Sequence, residues 1–397
     1  MKSNKNFLLL MLGQSVANLG DVFYIVSVIS ILFGLTGSAA IAAFVPFTIA
    51  STMFISSLLT PLVIGKWRLK TLLVGSQIGK TILLIGLGSF VFLFLQDTNY
   101  YFIFFFIAGI ALLDGCANPI MHTFFPYYVE DEKLVKANSI AESTTQIIQI
   151  GAWFFGGLLL LVITTIQLIW IVCFLFVLSY LFLSFLPHVN HIEEREQNFW
   201  LRLTEGWKSI GTTPVLKTTI QMDILETIAG TVWIAAIVYV FVEQALHVGE
   251  QWWGLINGAF FIGLLIGSLY CLKFSHLVDQ YKYRFIFVGA FISSILTILF
   301  STTSNPVIAL ILSAGIGMFG QLKNIPQGTI IQRSVTPEKL VTVYTSMGAV
   351  VTGVFGISSL FIGILADLLG VRAVFIVSSI LLAAVSLIAF KNKRLFV

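Results

Sequence analysis

Long apolar runs, each about the length of a membrane-spanning helix, recur along the whole chain. An α-helix needs about 20 apolar residues to cross a hydrocarbon core about 30 Å thick, so each run predicts one span. The pattern therefore predicts an all-α integral membrane protein with about twelve transmembrane helices. The predicted spans are 7–33, 38–64, 71–95, 100–122, 137–163, 166–186, 218–243, 251–273, 284–303, 305–327, 340–366 and 370–390.

Composition excludes the soluble classes. Hydrophobic residues make up 58% of the 397 residues and charged residues 10%, whereas soluble domains usually contain about 45–50% and 25%. The basic residues are scattered between apolar runs, so no nucleic-acid partner is expected. The three cysteines lie in apolar stretches without the spacing of a metal site. The expected surroundings are a lipid bilayer, in the cell membrane of a bacterium.

The placement of Lys and Arg predicts the orientation, because short cytoplasmic loops are enriched in these residues. With the N-terminus inside, the inner segments hold most of the basic residues and the outer loops hold only Arg372. The basic N-terminal stretch runs into an apolar segment that reaches about Phe33 without an early cleavage site, so it is expected to be retained as the first span. Both termini are therefore expected in the cytoplasm.

A polar segment and a short repeat predict two halves. The longest polar stretch, 188–217, separates six predicted spans at 1–187 from six at 218–397. Glu-Lys-Leu-Val occurs at 132–135, before span five, and again at 338–341, before span eleven, 206 positions later (338 minus 132). Both copies thus occupy the same inner connection of their own half. We predict two six-helix bundles related by parallel duplication, an arrangement that builds one class of alternating-access transporter.

Four stretches carry a resemblance to a known family: "GQSVANLGD" followed by "LTGSA", "YYVEDEKLVKANS", "VTPEKLVTVYTSMG" and "GILADLLGVR". With these motifs the chain resembles the major facilitator superfamily and, within it, the macrolide-efflux-like branch of drug:proton antiporters. The resemblance implies a proton-linked exporter of small molecules that functions as a monomer and needs no cofactor.

The chain departs from the family pattern at three places. The loop after span two, "PLVIGKWRLK", keeps Lys66, Arg68 and Lys70 but lacks the usual acid. Span four offers Asp114 where antiporter relatives often carry Arg, and "GAWFFGG" in span five lacks the usual proline. These departures weaken the implication of proton antiport more than that of family membership.

Polar residues inside the spans keep helical spacing, so each set lies on one helix face. Spans one, four, five, seven and ten carry them and are expected to surround a water-accessible cavity, whereas spans six, nine and twelve have no interior charge and are expected to face lipid. The candidates for proton coupling are Asp21, Asp114, Glu142, Asp223 and Glu226. The candidates for the substrate cavity are Gln14, Asn18, Asn118, Gln146, Gln149, Trp153, Trp233, Gln321 and Asn324, with Phe154 as a further aromatic.

The depth of each acid in its predicted span separates the proton-coupling candidates into two groups. At 1.5 Å per residue, Asp21 and Asp114 each lie about 21 Å into their spans, where an ionised side chain is costly unless it faces a partner or a cavity. Glu142, Asp223 and Glu226 lie nearer the inner surface, where a structural role at a helix N-terminus is an alternative. The amides have an alternative role in helix packing, and the aromatics in helix or lipid packing. Lys80, about 15 Å into span three, can neutralise Asp21 or Asp114. Alternatively, it can extend its ammonium to the membrane surface or bond to carbonyl groups.

Other motifs point to no further chemistry. "GSQIGKT" at 75–81 has three residues between its glycines where a phosphate-binding loop needs four, and it lies in a predicted span. "HVNHIEE" at 188–194 lies in a charged linker without the spacing of a metal site. No nucleophile stands with a base, so we expect neither a metal nor an enzyme.

The leading hypothesis is a secondary exporter that exchanges protons for a lipophilic, cationic compound such as a macrolide or another drug. The alternative is an importer or uniporter of a small metabolite on the same fold. A membrane enzyme or scaffold would instead require catalytic residues at one membrane face or a sizeable soluble domain, and neither is found in the sequence.

Overall fold

The computed structural model describes residues 4–37, 39–64, 67–96, 98–160, 162–187, 199–233, 235–249 and 251–396. Within these ranges the chain is helical, without a named strand. The helices are α1 Asn4–Thr36, α2 Ala39–Val63, α3 Leu69–Leu93, α4 Phe102–Thr123, α5 Phe125–Tyr128, α6 Leu134–Leu159, α7 Thr165–Ser184, α8 Phe199–Thr212, α9 Pro214–Gly230, α10 Ala235–Gln244, α11 Gln251–Lys273, α12 Ser275–Gln280, α13 Lys282–Thr302, α14 Pro306–Ser334, α15 Pro337–Leu369 and α16 Val371–Lys391. Three 3₁₀ turns lie at Asp131–Lys133, Thr231–Trp233 and Lys393–Leu395.

Ten described helices are long and apolar enough to cross a membrane, and an eleventh span results if Pro214–Trp233 and Ile237–Gln244, which meet at 49°, count as one. All-helical architecture is thus confirmed, whereas the count of twelve and the cytoplasmic termini stay predictions. The difference arises at α6, the fifth predicted span, which is not among the ten. Its polar residues Glu142, Gln146 and Gln149 lower its mean hydropathy.

The chain forms two compact units. The first comprises Met1–Glu130, Ile147–Trp207 and Pro337–Ala349, and the second comprises Asp131–Gln146, Lys208–Thr336 and Val350–Val397. Helices α6, α8 and α15 are therefore each divided between the units. The two Glu-Lys-Leu-Val copies lie at the starts of α6 and α15, and each copy lies in the unit built mainly from the other part of the chain. The predicted boundaries at 187 and 218 stay a prediction.

Local sequence explains where several helices begin. Asn305 caps α14 by accepting hydrogen bonds from the backbone N–H groups of Val307 and Ile308, and Pro306 occupies the first turn. Proline fits there because its missing N–H would have no partner within the helix. Thr164 caps α7 in the same way, with Gln167 completing a capping box. Capped starts of this kind fix the register of the polar faces that follow.

Glycines allow close packing where a helix must approach another backbone. In the second unit, a Cβ on Gly263 or Gly267 of α11 would meet the carbonyl oxygen of Ala314 or Met318 on α14. In the first unit, a Cβ on Gly20 of α1 would meet the Phe176 ring of α7 at 2.7 Å. Small residues drive such association in membranes, since lipid is as apolar as the side chains.

Arg372, the basic residue of the predicted outer loops, joins three segments of the second unit. Its guanidinium donates hydrogen bonds to the carbonyl oxygens of Ser301 at 2.6 Å and Ala245 at 3.1 Å, and to the Ser304 hydroxyl at 2.8 Å. It also lies 5.9 Å from the centre of the Phe241 ring. Arg372 thus holds together the ends of α10, α13 and α16.

Candidate transport site

Asp21, Lys80 and Asp114 form a cluster in the first unit. The Lys80 Nζ lies 2.7 Å from Asp21 Oδ1 and 2.6 Å from Asp114 Oδ1, so one ammonium bridges two carboxylates. The three side chains come from α1, α3 and α4. The structure brings together the two deepest predicted acids and the lysine named as a partner for either.

Burial within this cluster is uneven. The Lys80 side chain is only 2% exposed, whereas both carboxylates are 22% exposed. The ammonium also lies 4.6 Å from the centre of the Phe176 ring on α7, a cation–π contact. The lysine is therefore enclosed by protein while the acids remain reachable. With two anions and one cation, the cluster carries one negative charge when all three groups are ionised.

A second cluster lies in the second unit. Lys323 of α14 forms an ion pair with Glu226 of α9 and donates a hydrogen bond to Asn324 Oδ1 at 3.0 Å. Asp223, one turn earlier on α9, accepts a hydrogen bond from Gln327 Nε2 at 2.6 Å. Lys323 is 2% exposed and Glu226 is 26% exposed. The predicted acids of span seven are thus adjacent, but each has its own partner on α14.

Glu142 also lies in the second unit, half-buried on α6. It accepts a hydrogen bond from Gln321 Nε2 at 3.1 Å. Gln146, one turn further along α6, is buried, and its Oε1 has no hydrogen-bond partner among the described atoms. An unsatisfied amide oxygen in such a place is available to a ligand or to water.

The remaining predicted cavity residues have mixed environments. Gln14 is buried and donates a hydrogen bond to Asn18 Oδ1 at 3.1 Å, Gln149 is half-buried, and Asn118 and Asn324 are exposed. Trp233 stacks on Phe260 with ring centres 5.3 Å apart and contacts Phe300 and Phe375. These rings belong to the second unit's core, so packing accounts for the contacts of Trp233. Its predicted place in the cavity stays a prediction.

Several predictions fall outside the described part. The side chains of Trp153 and Phe154 are outside it, as are Lys66 and the polar stretch 188–198, which includes the motif "HVNHIEE". In the ranges that are described, no group of three His, Cys, Asp or Glu residues is arranged to hold a metal ion.

Sequence reasoning missed Lys323 and Gln327. Both lie at the polar end of α14, within the predicted span 305–327. A lysine inside an apolar window is itself a signal, because ionisable residues in spans usually have a functional or structural partner. Lys323 stands beside the predicted cavity residue Asn324, and the depth of its charge in the span marks it in the same way as Lys80.

A network between spans was also not anticipated. The guanidinium of Arg333, at the end of α14, lies 2.9 Å from Asp131 Oδ1 and 2.6 Å from Asp279 Oδ1. Lys282 adds a contact to Asp279 at 3.2 Å. Burial opposes the charge of Asp279, but hydrogen bonds from Arg333 and the positive charges of Arg333 and Lys282 prevail, and the pKa of the Asp279 carboxyl lies below its ordinary value. An acid is absent from the loop after α2, whereas Asp279 supplies one after α11.

Asn138 strengthens the same region of the second unit. Its Nδ2 donates hydrogen bonds to Gln332 Oε1 at 2.7 Å and to the Thr329 hydroxyl at 3.1 Å, and Gln332 returns a hydrogen bond at 3.1 Å. All three residues are buried. Paired amides of this kind fix the register between the start of α6 and the end of α14.

Known proteins share this fold along nearly the whole chain. The MFS-type transporter YfmI of Bacillus subtilis (strain 168) is 30% identical over 394 residues, which cover 98% of this chain and 97% of YfmI. YjbB, another MFS-type transporter of that organism, is 26% identical over 392 residues, covering 99% and 96%. A crystal structure of the E. coli fucose:proton symporter FucP superposes with a TM-score of 0.79 at 12% identity, covering 98% of this chain and 99% of FucP.

These relatives point to a multi-pass membrane transporter rather than an enzyme. Two Bacillus relatives of nearly full length agree with the predicted bacterial membrane. Major facilitator transporters carry small-molecule substrates. With a match to the Major Facilitator Superfamily over residues 10–356, the chain belongs to that superfamily.

Proposed function

We propose that this transporter exports a lipophilic, cationic compound in exchange for protons. The observation that carries the proposal is the Asp21–Lys80–Asp114 cluster, in which one ammonium serves two carboxylates. Lys80 neutralises one negative charge and leaves a second. In a membrane interior that remaining charge is costly, so the cluster favours binding of one further cation.

A proton and a cationic substrate compete for this remaining charge. A proton on Asp21 or Asp114 leaves the cluster neutral and removes the attraction for a cation. A bound cation balances the remaining negative charge, so neither carboxylate needs a proton. Mutually exclusive binding at one site is the physical basis of exchange, since a carrier that changes orientation only when loaded must then move the two ions in opposite directions.

The exposed fractions of the three side chains are consistent with binding of a proton or a cation at the acids. Both carboxylates are 22% exposed while Lys80 is 2% exposed, so an incoming ion meets the acids and not the lysine. Lys80 keeps its place through the Phe176 ring and the two carboxylates. We assign Lys80 to holding the acids together and Asp21 or Asp114 to carrying the proton.

The second unit holds a cluster that also has one excess negative charge. Asp223 and Glu226 stand against a single Lys323, which again leaves one negative charge when all three are ionised. The amide Gln327 stabilises Asp223 without neutralising it. We propose that this cluster and the Glu142–Gln321 pair contribute to substrate binding, and that transport proceeds by alternating access.

Flux into proteoliposomes tests the proposal. A lipophilic phosphonium cation and a macrolide are supplied with and without an imposed pH gradient, for the wild type, Asp21→Asn and Asp114→Asn. We expect gradient-driven flux of the cation that at least one substitution abolishes, together with substrate-dependent proton movement. Asp367→Asn is the matched control, because Asp367 is an exposed acid on α15 outside the clusters.

Two outcomes would overturn the proposal. Gradient-driven export that survives both Asp21→Asn and Asp114→Asn would remove the proton site from this cluster. Flux that is indifferent to the pH gradient, or uptake of a neutral sugar in the same vesicles, would instead support the importer or uniporter.

A further inference from the structure

A groove of about 570 Å³ runs along the second unit at the end of α11, α13 and α14 that is predicted to be cytoplasmic. Helix α14 packs against both α11 and α13 and forms the floor. Tyr270 of α11 and Leu277 of α12 lie on one side. The floor is lined by Met318, Phe319 and Leu322. The α13 wall is lined by Tyr281, Arg284, Phe285, Val288 and Gly289. Its volume lies in the range of about 300–1,000 Å³ that is typical of ligand sites.

The first unit has a matching groove of about 360 Å³ between α2, α3 and α4. The floor helices are α4 in the first unit and α14 in the second. The lining residues of α4 are Leu112, Leu113 and Cys116, and those of α14 are Met318, Phe319 and Leu322, each 206 positions later (318 minus 112). The wall helices are α3 in the first unit and α13 in the second. The lining residues of α3 are Thr71, Leu72, Gly75 and Ser76, and those of α13 are Arg284, Phe285, Val288 and Gly289, each 213 positions later (284 minus 71). The grooves therefore occupy equivalent places in the two units.

The two grooves differ in charge. At the position that Thr71 holds in the first unit, the second unit has Arg284. The Arg284 side chain is exposed, lies 4.8 Å from the centre of the Tyr281 ring, and has no acidic partner among the described residues. The nearby Asp279 is already neutralised by Arg333 and Lys282. None of the described residues that line the first-unit groove is charged.

We propose that the second-unit groove binds one anionic phospholipid. The acyl chain lies along the apolar floor and the Val288 wall, and the phosphate is bound by the Arg284 guanidinium beside the hydroxyl of Tyr281. Arginine suits this role because its planar guanidinium donates two parallel hydrogen bonds to phosphate oxygens. Exposed Lys273, at the end of α11, adds positive charge. Basic sites between spans on the cytoplasmic side are a usual place for anionic headgroups.

Charge complementarity selects the lipid over other occupants. A zwitterionic lipid such as phosphatidylcholine offers the same phosphate but adds a cationic headgroup that Arg284 and Lys273 repel, and a cationic substrate is repelled as well. Lipid binding in this groove does not depend on the direction of transport or on the ion that drives it. The predicted orientation assigns the lipid to the cytoplasmic leaflet.

The test counts bound lipids by native mass spectrometry after reconstitution with equal amounts of phosphatidylglycerol and phosphatidylcholine. We expect the wild type to retain phosphatidylglycerol preferentially, and Arg284→Gln to weaken that retention about five- to tenfold, as loss of one cation at an anionic surface implies. Lys391→Gln is the matched control, because Lys391 is an exposed cation at the end of α16 outside the groove.

A second variant tests the acyl-chain part of the site. Val288→Trp fills the groove and should lower retention of both lipids, whereas Val288→Ala should not. Unfolding temperatures are measured for every variant, and unchanged values are expected because Arg284 and Val288 are exposed. Equal retention by Arg284→Gln and Lys391→Gln would overturn the proposal, and so would indifference of both lipids to Val288→Trp.

Discussion

Two buried lysines, Lys80 in the first unit and Lys323 in the second, each stabilise acids inside the spans, but they do so from different helices. Lys80 extends from α3 to carboxylates on α1 and α4, whereas Lys323 extends from α14 to Glu226 on α9. The position 206 residues before Lys323 is Ala117. The lysines are therefore not repeat-related copies of each other.

The difference lies in how the charges are shared. In the first unit both acids depend on one ammonium. In the second unit Glu226 uses the ammonium and Asp223 uses the amide of Gln327. The two units have equivalent grooves but unlike clusters. The helices therefore share a common arrangement while their polar residues differ. The first cluster is consequently the more sensitive to loss of a single residue.

The largest effect is expected for Lys80→Gln. The substitution leaves two carboxylates without a cation, and loss of one partner from a buried ionic group costs about 3–5 kcal/mol of unfolding free energy. Denaturant titration in mild detergent measures the change. Asp114→Asn in the same chain restores the original net charge and should recover part of the loss, so a double variant no more stable than Lys80→Gln would contradict the shared-ammonium arrangement.

Lys323→Gln should cost less, about 2 kcal/mol, because it leaves only Glu226 without a cation while Asp223 keeps its amide. The same titration compares the two lysine variants side by side. Glu226→Gln combined with Lys323→Gln is the control that removes both charges. Equal losses for Lys80→Gln and Lys323→Gln would break the distinction between the clusters.

A smaller loss, about 1–2 kcal/mol, is expected for Gln327→Leu, since a hydrogen bond to a charged acceptor is lost at nearly constant volume. Gln77→Leu is the matched control in the first unit, because the buried Gln77 amide donates at 3.4 Å to the neutral carbonyl of Phe176. Unfolding of both variants is followed in one detergent. A Gln77 variant that loses as much as the Gln327 variant would show that the loss comes from packing.

The smallest effect concerns pH at Asp279, whose carboxyl has a pKa below its ordinary value. A lowered pKa in the folded state contributes stability that is complete above the unfolded value of about 3.9 and is lost as the pH falls through the folded value. The difference in unfolding temperature between the wild type and Asp279→Asn should thus be constant from about pH 8 to pH 5. A difference that shrinks on going from pH 8 to pH 5 would contradict this arrangement, and Asp367→Asn serves as the control.

The sequence predicts where the helices and the acids in the spans lie better than it predicts which side chains contact each other. Hydrophobic windows predict α1 through α4 closely because membrane spans must be long and apolar, and α6 escapes the same test because its polar face lowers its hydropathy. Depth in the span points to Asp21, Asp114 and Lys80, since burial of a charge is costly wherever it occurs. Lys323 contacts Glu226 and not Asp223 because of the way α9 packs against α14. Periodicity along a single helix does not determine that packing.

The division of α6 and α15 between the two units has a consequence for fragments of the chain. A chain cut between 187 and 218 yields two pieces, and each piece carries a segment that packs in the unit built mainly by the other. The first piece lacks Pro337–Ala349, and the second lacks Asp131–Gln146 with its Asn138 and Asp131 contacts. Neither piece holds the whole of a unit, so a complete unit forms only when both pieces are present together.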